Sequence, residues 1–197
     1  MSDKKTLVFA TQNENKATEI QGLLPDNFIV QTLADIGCNE DIPEEQPTLK
    51  GNALQKARYV FEKYEVNCFA DDTGLEVDAL NGEPGVLSAR YAGPAKDSQH
   101  NMDLLLKNLK DSPERKARFR TVIALIINGT EYTFEGQVEG EIAHERRGEE
   151  GFGYDPIFLP EGNNRSFAQM SLEEKNKMSH RSRAIAKLAA FLSKYNG

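Results

Sequence analysis

The chain contains very few of the residues that form disulfide frameworks or zinc sites. Of its 197 residues, two are cysteine and three are histidine, and tryptophan is absent. Cys38 and Cys68 are too few for a disulfide framework or a zinc knuckle, and we expect both to be small buried hydrophobic residues. The three histidines lie far apart without metal-ligand spacing, which argues against a zinc site.

Long apolar runs and an excess of positive charge are also absent. The longest strongly apolar stretch, Thr121 to Ile127, is far too short to cross a bilayer. Since the N-terminus lacks a secretory pattern, we predict a cytoplasmic protein without a membrane partner. The formal net charge is −7. Such a chain repels nucleic-acid polymers, and an anionic small molecule would need a local basic pocket.

Length and composition predict one globular domain over residues 1–197. The chain is 39% hydrophobic and 28% charged, which fits one compact globular domain, or one domain with two lobes. No internal repeat, low-complexity tract or obvious linker interrupts it. We therefore expect the chain to fold as a unit.

The first third of the chain has the order of an α/β sheet. Apolar periodicity predicts strands over Thr6–Ala10 and Phe28–Leu33 and a helix over Lys16–Leu24. A long helix over Leu49–Tyr64 then leads to a short strand over Cys68–Ala70. The resulting βαβαβ order is typical of α/β proteins.

A hairpin is the main feature predicted further along. Strands over Arg118–Ile127 and Glu131–Val138 flank Asn128-Gly129, a dipeptide suited to a tight hairpin turn. The other predicted elements are a helix over Ser98–Leu109, a capping box formed by Ser171 and Glu174, and a final amphipathic helix over Ala184–Tyr195.

Two adjacent carboxylates, Asp71 and Asp72, follow the short strand and precede Glu76 and Asp78. Like charges this close repel each other, and a hard cation such as Mg²⁺ relieves that repulsion. Because side chains alternate along a strand, Asp71 and Asp72 face one cavity only if the strand ends between them, so one of them is expected to be structural. When the pair is taken alone, an ordinary acidic turn that begins a loop is the favoured interpretation.

Two loops are further candidates for binding. The polar turn from Thr11 to Lys16 joins a strand to a helix, where free backbone N–H groups attract phosphate. It contains no glycine and matches no phosphate-loop pattern, so an ordinary polar loop is favoured on sequence alone. The segment Gly151 to Pro156 places Phe152 between glycines, which suits either a hairpin corner or a base-stacking shelf.

Three charged sites have ordinary explanations when each is taken alone. Glu44-Glu45 fits a solvated acidic loop, Lys56 a helix surface, and Lys175 a partner of nearby acids. These interpretations change only when the segments are considered together and in order.

In that order the segments resemble the inosine triphosphate pyrophosphatase family over nearly the whole chain. The matching segments are Ala10 to Asn13 with Lys16, Glu44-Glu45, Gly51 to Ala53 with Lys56-Ala57, Ala70 to Leu75, Pro84 to Tyr91, Gly151 to Pro156, and Ser179 to Arg181. Two departures are visible: Gln12 stands where the family usually has glycine, and Thr73 where serine is common. Neither removes a charged group.

The resemblance implies hydrolysis of ITP, dITP and XTP between the α- and β-phosphates, with Mg²⁺ as cofactor. It makes Asp72 the proton acceptor and a metal ligand, and Glu45 a second metal ligand, with Glu44 less favoured. Lys16, Lys56 and Lys175 would hold the phosphates, and Phe152 would stack on the purine. The implied substrate-binding residues are Thr11, Gln12, Asn13, Glu14, Asn15, Lys16, Lys56, Thr73, Phe152, Gly153, Tyr154, Asp155, Lys175, His180 and Arg181.

The resemblance also implies a fold and an assembly. The expected architecture is α/β, with a long twisted mixed sheet, two α/β lobes and the nucleotide in the cleft between them, and the family is typically homodimeric.

Three alternatives stay open: a pyrophosphatase for another aberrant nucleotide, such as a modified pyrimidine triphosphate; a nucleotide-binding regulator without turnover; and a structural module. Intact acidic residues argue against the second, and the ordered motifs argue against the third.

Overall fold

A computed structural model describes residues 4–20 and 22–195. Contacts along the chain divide it into two compact units. Among the described residues, those within 1–72, 121–136 and 181–197 form the first unit, and those within 73–120 and 137–180 form the second. The predicted α/β class is confirmed, because strands and helices alternate in the first part of the chain and both types of element continue through the rest of it.

The predicted βαβαβ order is confirmed. The elements are β1 (Lys5–Phe9), α1 (Glu14–Ile20), β2 (Phe28–Gln31), α2 (Leu49–Tyr64) and β3 (Cys68–Val77). Strand β1 pairs in parallel with both β2 and β3. Helix α2 has the predicted bounds.

Strand β3 is longer than predicted, and this corrects the expectation that the strand ends at Ala70, before Asp71 and Asp72. It continues past Ala70 to Val77, and β4 (Pro84–Gly85) pairs with it antiparallel. The two carboxylates therefore lie in the middle of a strand. Charges are tolerated there because lysine and arginine side chains neutralise them.

Helix α1 begins earlier than predicted because Asn13 caps it. The Asn13 side-chain oxygen Oδ1 accepts hydrogen bonds from the backbone N–H groups of Asn15 and Lys16, at 3.0 and 3.3 Å. Asparagine is among the preferred residues at this position. Lys16 consequently lies in the first turn of α1 instead of at its start.

The remaining elements are α3 (Ser98–Asn108), β5 (Lys116–Ile127), β6 (Thr130–Ile142), β7 (Phe158–Pro160), α4 (Leu172–Asn176) and α5 (His180–Leu192). The predicted hairpin between β5 and β6 is confirmed, with φ values of 50° at Asn128 and 75° at Gly129. The predicted capping box of Ser171 and Glu174 is also present. The last helix begins at His180, earlier than the predicted Ala184.

Within the described residues the strands form one mixed sheet in the order β2-β1-β3-β5-β6-β7, with β4 added to β3. The core of the first unit packs residues of β1, β3 and β5 against α5, and it includes the stacked rings of Phe9 and Phe69, whose centroids are 4.6 Å apart. The core of the second unit contains α3 and the clustered rings of Phe119, Phe158 and Phe167. Each unit thus has its own apolar centre.

Both cysteines are buried, as predicted. In the described part of the chain, none of the helices combines the length and the apolar character that a membrane crossing requires.

Candidate active site

The middle of β3 is surrounded by charged side chains from three other segments of the first unit. Lys16 comes from the first turn of α1, Lys56 from α2, and Glu44 from the loop before α2. We call the following residues the carboxylate cluster: Lys16, Glu44, Asn52, Lys56, Asp71 and Asp72.

Asp72 is the residue of this cluster that is best suited to accept a proton. It is 8% exposed, and its Oδ2 accepts a hydrogen bond of 3.0 Å from Asn52 Nδ2. Its Oδ1 lies 3.8 Å from Lys56 Nζ. Burial raises the pKa of Asp72 above its usual value, and the neighbouring lysines offset this only in part. A carboxylate with a raised pKa is a better general base near neutral pH.

Asp71 has the opposite environment. Its carboxylate accepts hydrogen bonds from Lys16 Nζ at 3.0 Å and from Arg181 Nε at 3.3 Å. Burial opposes its charge, but the attraction of Lys16 and Arg181 outweighs this, and the pKa of Asp71 lies well below its usual value. Asp71 therefore stays ionised and acts as a counterion. The separate partners of Asp71 and Asp72 agree with the alternation of side chains along a strand.

The loop from Thr11 to Lys16 is ordered by its own side chains. Thr11 Oγ1 accepts the Asn13 N–H at 3.1 Å, and Asn13 caps α1 as described above. Burial lowers the pKa of Lys16 despite the attraction of Asp71. The Gln12 side chain donates to the Glu40 backbone carbonyl at 2.8 Å, so it is directed towards the segment before α2. Glu14 and Asn15 are exposed.

Two neighbouring acids before α2 differ in their partners. The Glu44 carboxylate lies 2.5 Å from Lys56 Nζ, whereas the Glu45 carboxylate accepts a 3.3 Å hydrogen bond from Gln55. Burial opposes the charge of Lys56, but Asp72 and Glu44 outweigh it, and the pKa of Lys56 is raised. Lys56 is thus a cation shared by Glu44 and Asp72.

Arg181 is buried in the first unit, where it contacts two acids. It is 2% exposed and forms ion pairs with Asp71 and with Glu19 of α1. Burial opposes its charge, yet these acids raise its pKa. The sequence did not single out Glu19. Its position could have indicated a buried ion pair, because Glu19 lies three residues after Lys16 and next to the buried Ile20. An acid beside an apolar helix face needs a buried partner.

The second unit contains five of the predicted site residues, Phe152, Tyr154, Asp155, Lys175 and His180, which we call the aromatic cluster. Lys175 Nζ lies 2.7 Å from Asp155 Oδ2, and both side chains are 4% exposed. The same ammonium lies over the Phe152 ring, 5.0 Å from its centroid. Asp155 Oδ2 also accepts the Phe152 N–H at 2.9 Å. One carboxylate therefore fixes both the lysine and the aromatic residue.

Close packing and glycine backbone conformations shape the rest of this cluster. The Tyr154 hydroxyl donates to the Ser88 carbonyl at 2.8 Å, and burial raises the pKa of Tyr154. The His180 ring stacks on Phe119, with centroids 4.6 Å apart. Gly151 has φ +75°, and a β-carbon there would collide with Asp155, so only glycine fits. Gly153 also has a positive φ, of +63°.

The acidic residues fit magnesium better than a metal held by protein ligands alone. Within residues 4–20 and 22–195, no group of three or more histidine, cysteine or acidic residues is arranged to hold a metal. Mg²⁺ commonly uses only one or two carboxylates together with water and substrate phosphates. Asp72 and Glu44 already share one cation, the Lys56 ammonium. These carboxylates carry the oxygen donors that a magnesium ion binds.

Comparison with known proteins gives matches over nearly the full chain. The model of the Ham1 family matches residues 7–191. A dITP/XTP pyrophosphatase of Flavobacterium psychrophilum is 54% identical over 185 residues, which cover 94% of this chain and 97% of that protein. A dITP/XTP pyrophosphatase of Bacillus subtilis is 45% identical over 192 residues, covering 95% of this chain and 97% of that protein. The structure of a HAM1 protein from Coxiella burnetii matches with a TM-score of 0.90 at 38% identity, covering 97% of this chain and 100% of that one.

Proposed function

Because this chain belongs to the Ham1 family, we propose that it hydrolyses the non-standard purine nucleoside triphosphates ITP, dITP and XTP to the nucleoside monophosphate and pyrophosphate. The observation that carries the proposal at the site is the adjacent pair Asp71-Asp72 on β3. Asp71 accepts hydrogen bonds from Lys16 and Arg181, whereas Asp72 contacts Asn52 and Lys56. Removing these nucleotides would keep them out of DNA and RNA. A cytoplasmic location, where nucleotide precursors are found, is part of the proposal.

Asp72 is the proposed general base. It would accept the proton of a water molecule as that water attacks the α-phosphorus, and the bond to the β-phosphate oxygen would break to release pyrophosphate. Lys16 and Lys56 would balance the negative charge that develops on the phosphate oxygens. Asp71 would keep Lys16 charged and in place, since burial by itself disfavours the ammonium. Lys175 is assigned to the phosphates by the resemblance alone.

Magnesium is the proposed cofactor, with Asp72 and Glu45 as its protein ligands. When bound, such an ion neutralises phosphate charge and makes a coordinated water more acidic. Glu45 could bind a cation without loss of an ion pair, because its carboxylate contacts the neutral Gln55. Glu44 would first have to release Lys56. This difference favours Glu45 over Glu44.

Recognition of the base is assigned to the aromatic cluster and Arg181. Phe152 would stack on the purine, and polar groups of Tyr154, Asp155, His180 and Arg181 would face its edge. A 6-oxo purine presents an acceptor where adenine presents a donor, and a mispaired buried polar group can reduce the rate by about 10⁴-fold. Arg181 also pairs with Glu19 of α1 and with Asp71 of β3. These ion pairs support a second role for Arg181, which is to hold α1 against β3.

Identification of the products tests this proposal. ITP, dITP, XTP, ATP, GTP and dUTP would each be incubated with the protein and Mg²⁺, and the products separated by anion exchange. We expect IMP and pyrophosphate from ITP, and little product from ATP or GTP. Release of IDP and phosphate would contradict the cleavage position. Preferential turnover of dUTP would favour a pyrimidine substrate instead.

We also propose that the protein is a homodimer, on the basis of the family resemblance. Light scattering in solution tests this directly, since one chain has a mass of 22.0 kDa. A mass of two chains is expected. A mass of one chain at micromolar concentration would contradict the assignment.

A further inference from the structure

Asn52 is a buried polar residue with no role in the proposed reaction so far. It lies on α2 and is 0% exposed. Its Nδ2 donates to Asp72 Oδ2 at 3.0 Å, and its Oδ1 accepts the backbone N–H of Gln46 at 2.8 Å. One side-chain amide thus joins the proposed general base to the segment that carries Glu44 and Glu45.

The two partners of Asn52 fix the orientation of its amide group. An ionised carboxylate only accepts hydrogen bonds, and a backbone N–H only donates them. A rotated amide would place its oxygen against Asp72 and its NH₂ group against the Gln46 N–H, so neither bond could form. The amide is therefore held in one orientation, and the bond to Asp72 has the added strength of a charged acceptor.

This connection matters because the two proposed metal ligands lie on different segments. Asp72 is on β3, while Glu45 precedes Gln46 in the loop before α2. Helix α2 also holds this loop through Gln55, whose Oε1 accepts the Glu45 N–H at 2.9 Å. Asn52 adds the bond that links the loop to the carboxylate on β3.

We propose that Asn52 is a positioning residue that fixes the Asp72 carboxylate relative to the Glu44-Glu45 segment. The inference rests on the proposed function, because it assigns these carboxylates to catalysis. Asn52 itself would not touch the substrate. Groups that orient ligand carboxylates in this way typically contribute about 10–100-fold to metal affinity or activity.

Substitution of Asn52 by leucine tests the inference, since leucine keeps most of the volume and removes both hydrogen bonds. Measured with ITP, Asn52→Leu should raise the Mg²⁺ concentration for half-maximal activity, and lower kcat, each by about 10-fold or more. The KM for ITP should change by less than about 3-fold. The substitution disturbs the geometry of the Asp72 carboxylate in the transition state, but it removes no contact with the nucleotide. Asn52→Ala should give the same changes if leucine prevents folding.

Asn101 offers a matched control. It is another buried asparagine on a helix, and its Oδ1 accepts the Ala92 N–H at 2.7 Å while its Nδ2 donates to the Ala89 carbonyl at 3.0 Å. Both of these partners are backbone groups. Asn101→Leu should lower thermal stability and leave the half-maximal Mg²⁺ concentration at the parent value. An equal Mg²⁺ shift in both variants would show a general effect of lost stability and overturn the inference.

Hydrogen exchange provides a readout that needs no turnover. In the nucleotide-free protein, the Gln46 amide should exchange at least 10-fold faster in Asn52→Leu than in the parent, as its acceptor is gone. Unchanged exchange would overturn the inference, as would parental kcat and Mg²⁺ dependence in Asn52→Leu. Absence of turnover by the parent would instead overturn the proposed function, and it would be seen before any substitution is made.

Discussion

At the scale of single residues, the central feature is the difference between two neighbouring aspartates. Asp71 is ionised between Lys16 and Arg181, while burial raises the pKa of Asp72. The sequence predicted that one of the two is structural, because their side chains must alternate along a strand. It could not show which cations surround each carboxylate, since Arg181 is distant in sequence.

Substitution of Asp71 by asparagine should destabilise the protein strongly. It would leave the Lys16 and Arg181 charges buried without this acid, and removal of one partner of a buried ion pair costs about 3–5 kcal/mol. The folded pKa of Asp71 lies below its unfolded value of about 3.9. Its contribution is therefore present above about pH 4 and is lost as the pH falls through the folded value.

Urea unfolding of the parent and Asp71→Asn from pH 3 to pH 7 measures this effect. The difference in free energy of unfolding should be largest at neutral pH and should shrink in acid. Asp26→Asn at an exposed site is the control, with an expected change within about 0.5 kcal/mol. A pH-independent difference would contradict the charge assignment of Asp71.

Substitutions of the two glutamates separate the proposed metal ligand from its neighbour. Loss of a ligand carboxylate weakens magnesium binding, so Glu45→Gln should raise the Mg²⁺ concentration for half-maximal activity by about 10-fold or more. Glu44→Gln removes a partner of Lys56 and should mainly affect the KM for ITP. Mg²⁺ titrations of both variants show which glutamate is the ligand. A larger rise of the half-maximal Mg²⁺ concentration in Glu44→Gln than in Glu45→Gln would make Glu44 the ligand.

Phe152 should contribute to nucleotide binding through its ring face. Phe152→Ala should weaken binding by about 1–3 kcal/mol, the usual contribution of base stacking. Phe152→Tyr keeps the ring and should retain the parental KM for ITP. An unchanged KM in the alanine variant would remove the stacking assignment.

At the scale of elements, apolar periodicity predicted the bounds of some segments well and underestimated the length of others. Helix α2 has the predicted bounds because its apolar stripe is regular and Thr48 caps it. The hairpin turn at Asn128-Gly129 was also predicted, since few other dipeptides adopt its backbone angles. Strand β3 was predicted too short, because charged residues are rare in strands unless tertiary partners neutralise them.

The cap of α2 provides a prediction at this scale. Thr48 Oγ1 accepts the Gly51 N–H at 3.0 Å, and Thr48→Ala should destabilise the protein by about 0.5–2 kcal/mol. Thr48→Ser keeps the hydroxyl and should lose little. Urea unfolding measures both variants. Equal losses in alanine and serine variants would mean that the cap does not hold α2.

At the scale of the whole molecule, the sequence predicted the α/β class and a mixed sheet, and near-full-length similarity to Ham1 proteins agrees with both. The two-lobed single domain and the residues of the site stay predictions. The sequence alone could not predict that Glu19 and Asn52 lie near Asp71 and Asp72. The packing of α1 and α2 onto the sheet decides which side chains meet. Recognition of the ordered motifs predicted a site where isolated residues had ordinary explanations.

The central claim is that Asp72 is the base of a magnesium-dependent pyrophosphatase. The most direct test is pyrophosphate release from ITP by the parent and by Asp72→Asn, each with Mg²⁺ and with chelator. We predict Mg²⁺-dependent release by the parent, and a loss of about 10²–10⁴-fold in the variant while its unfolding transition stays cooperative. Release by a folded Asp72→Asn protein at the parental rate, or parental release in chelator, would contradict the account.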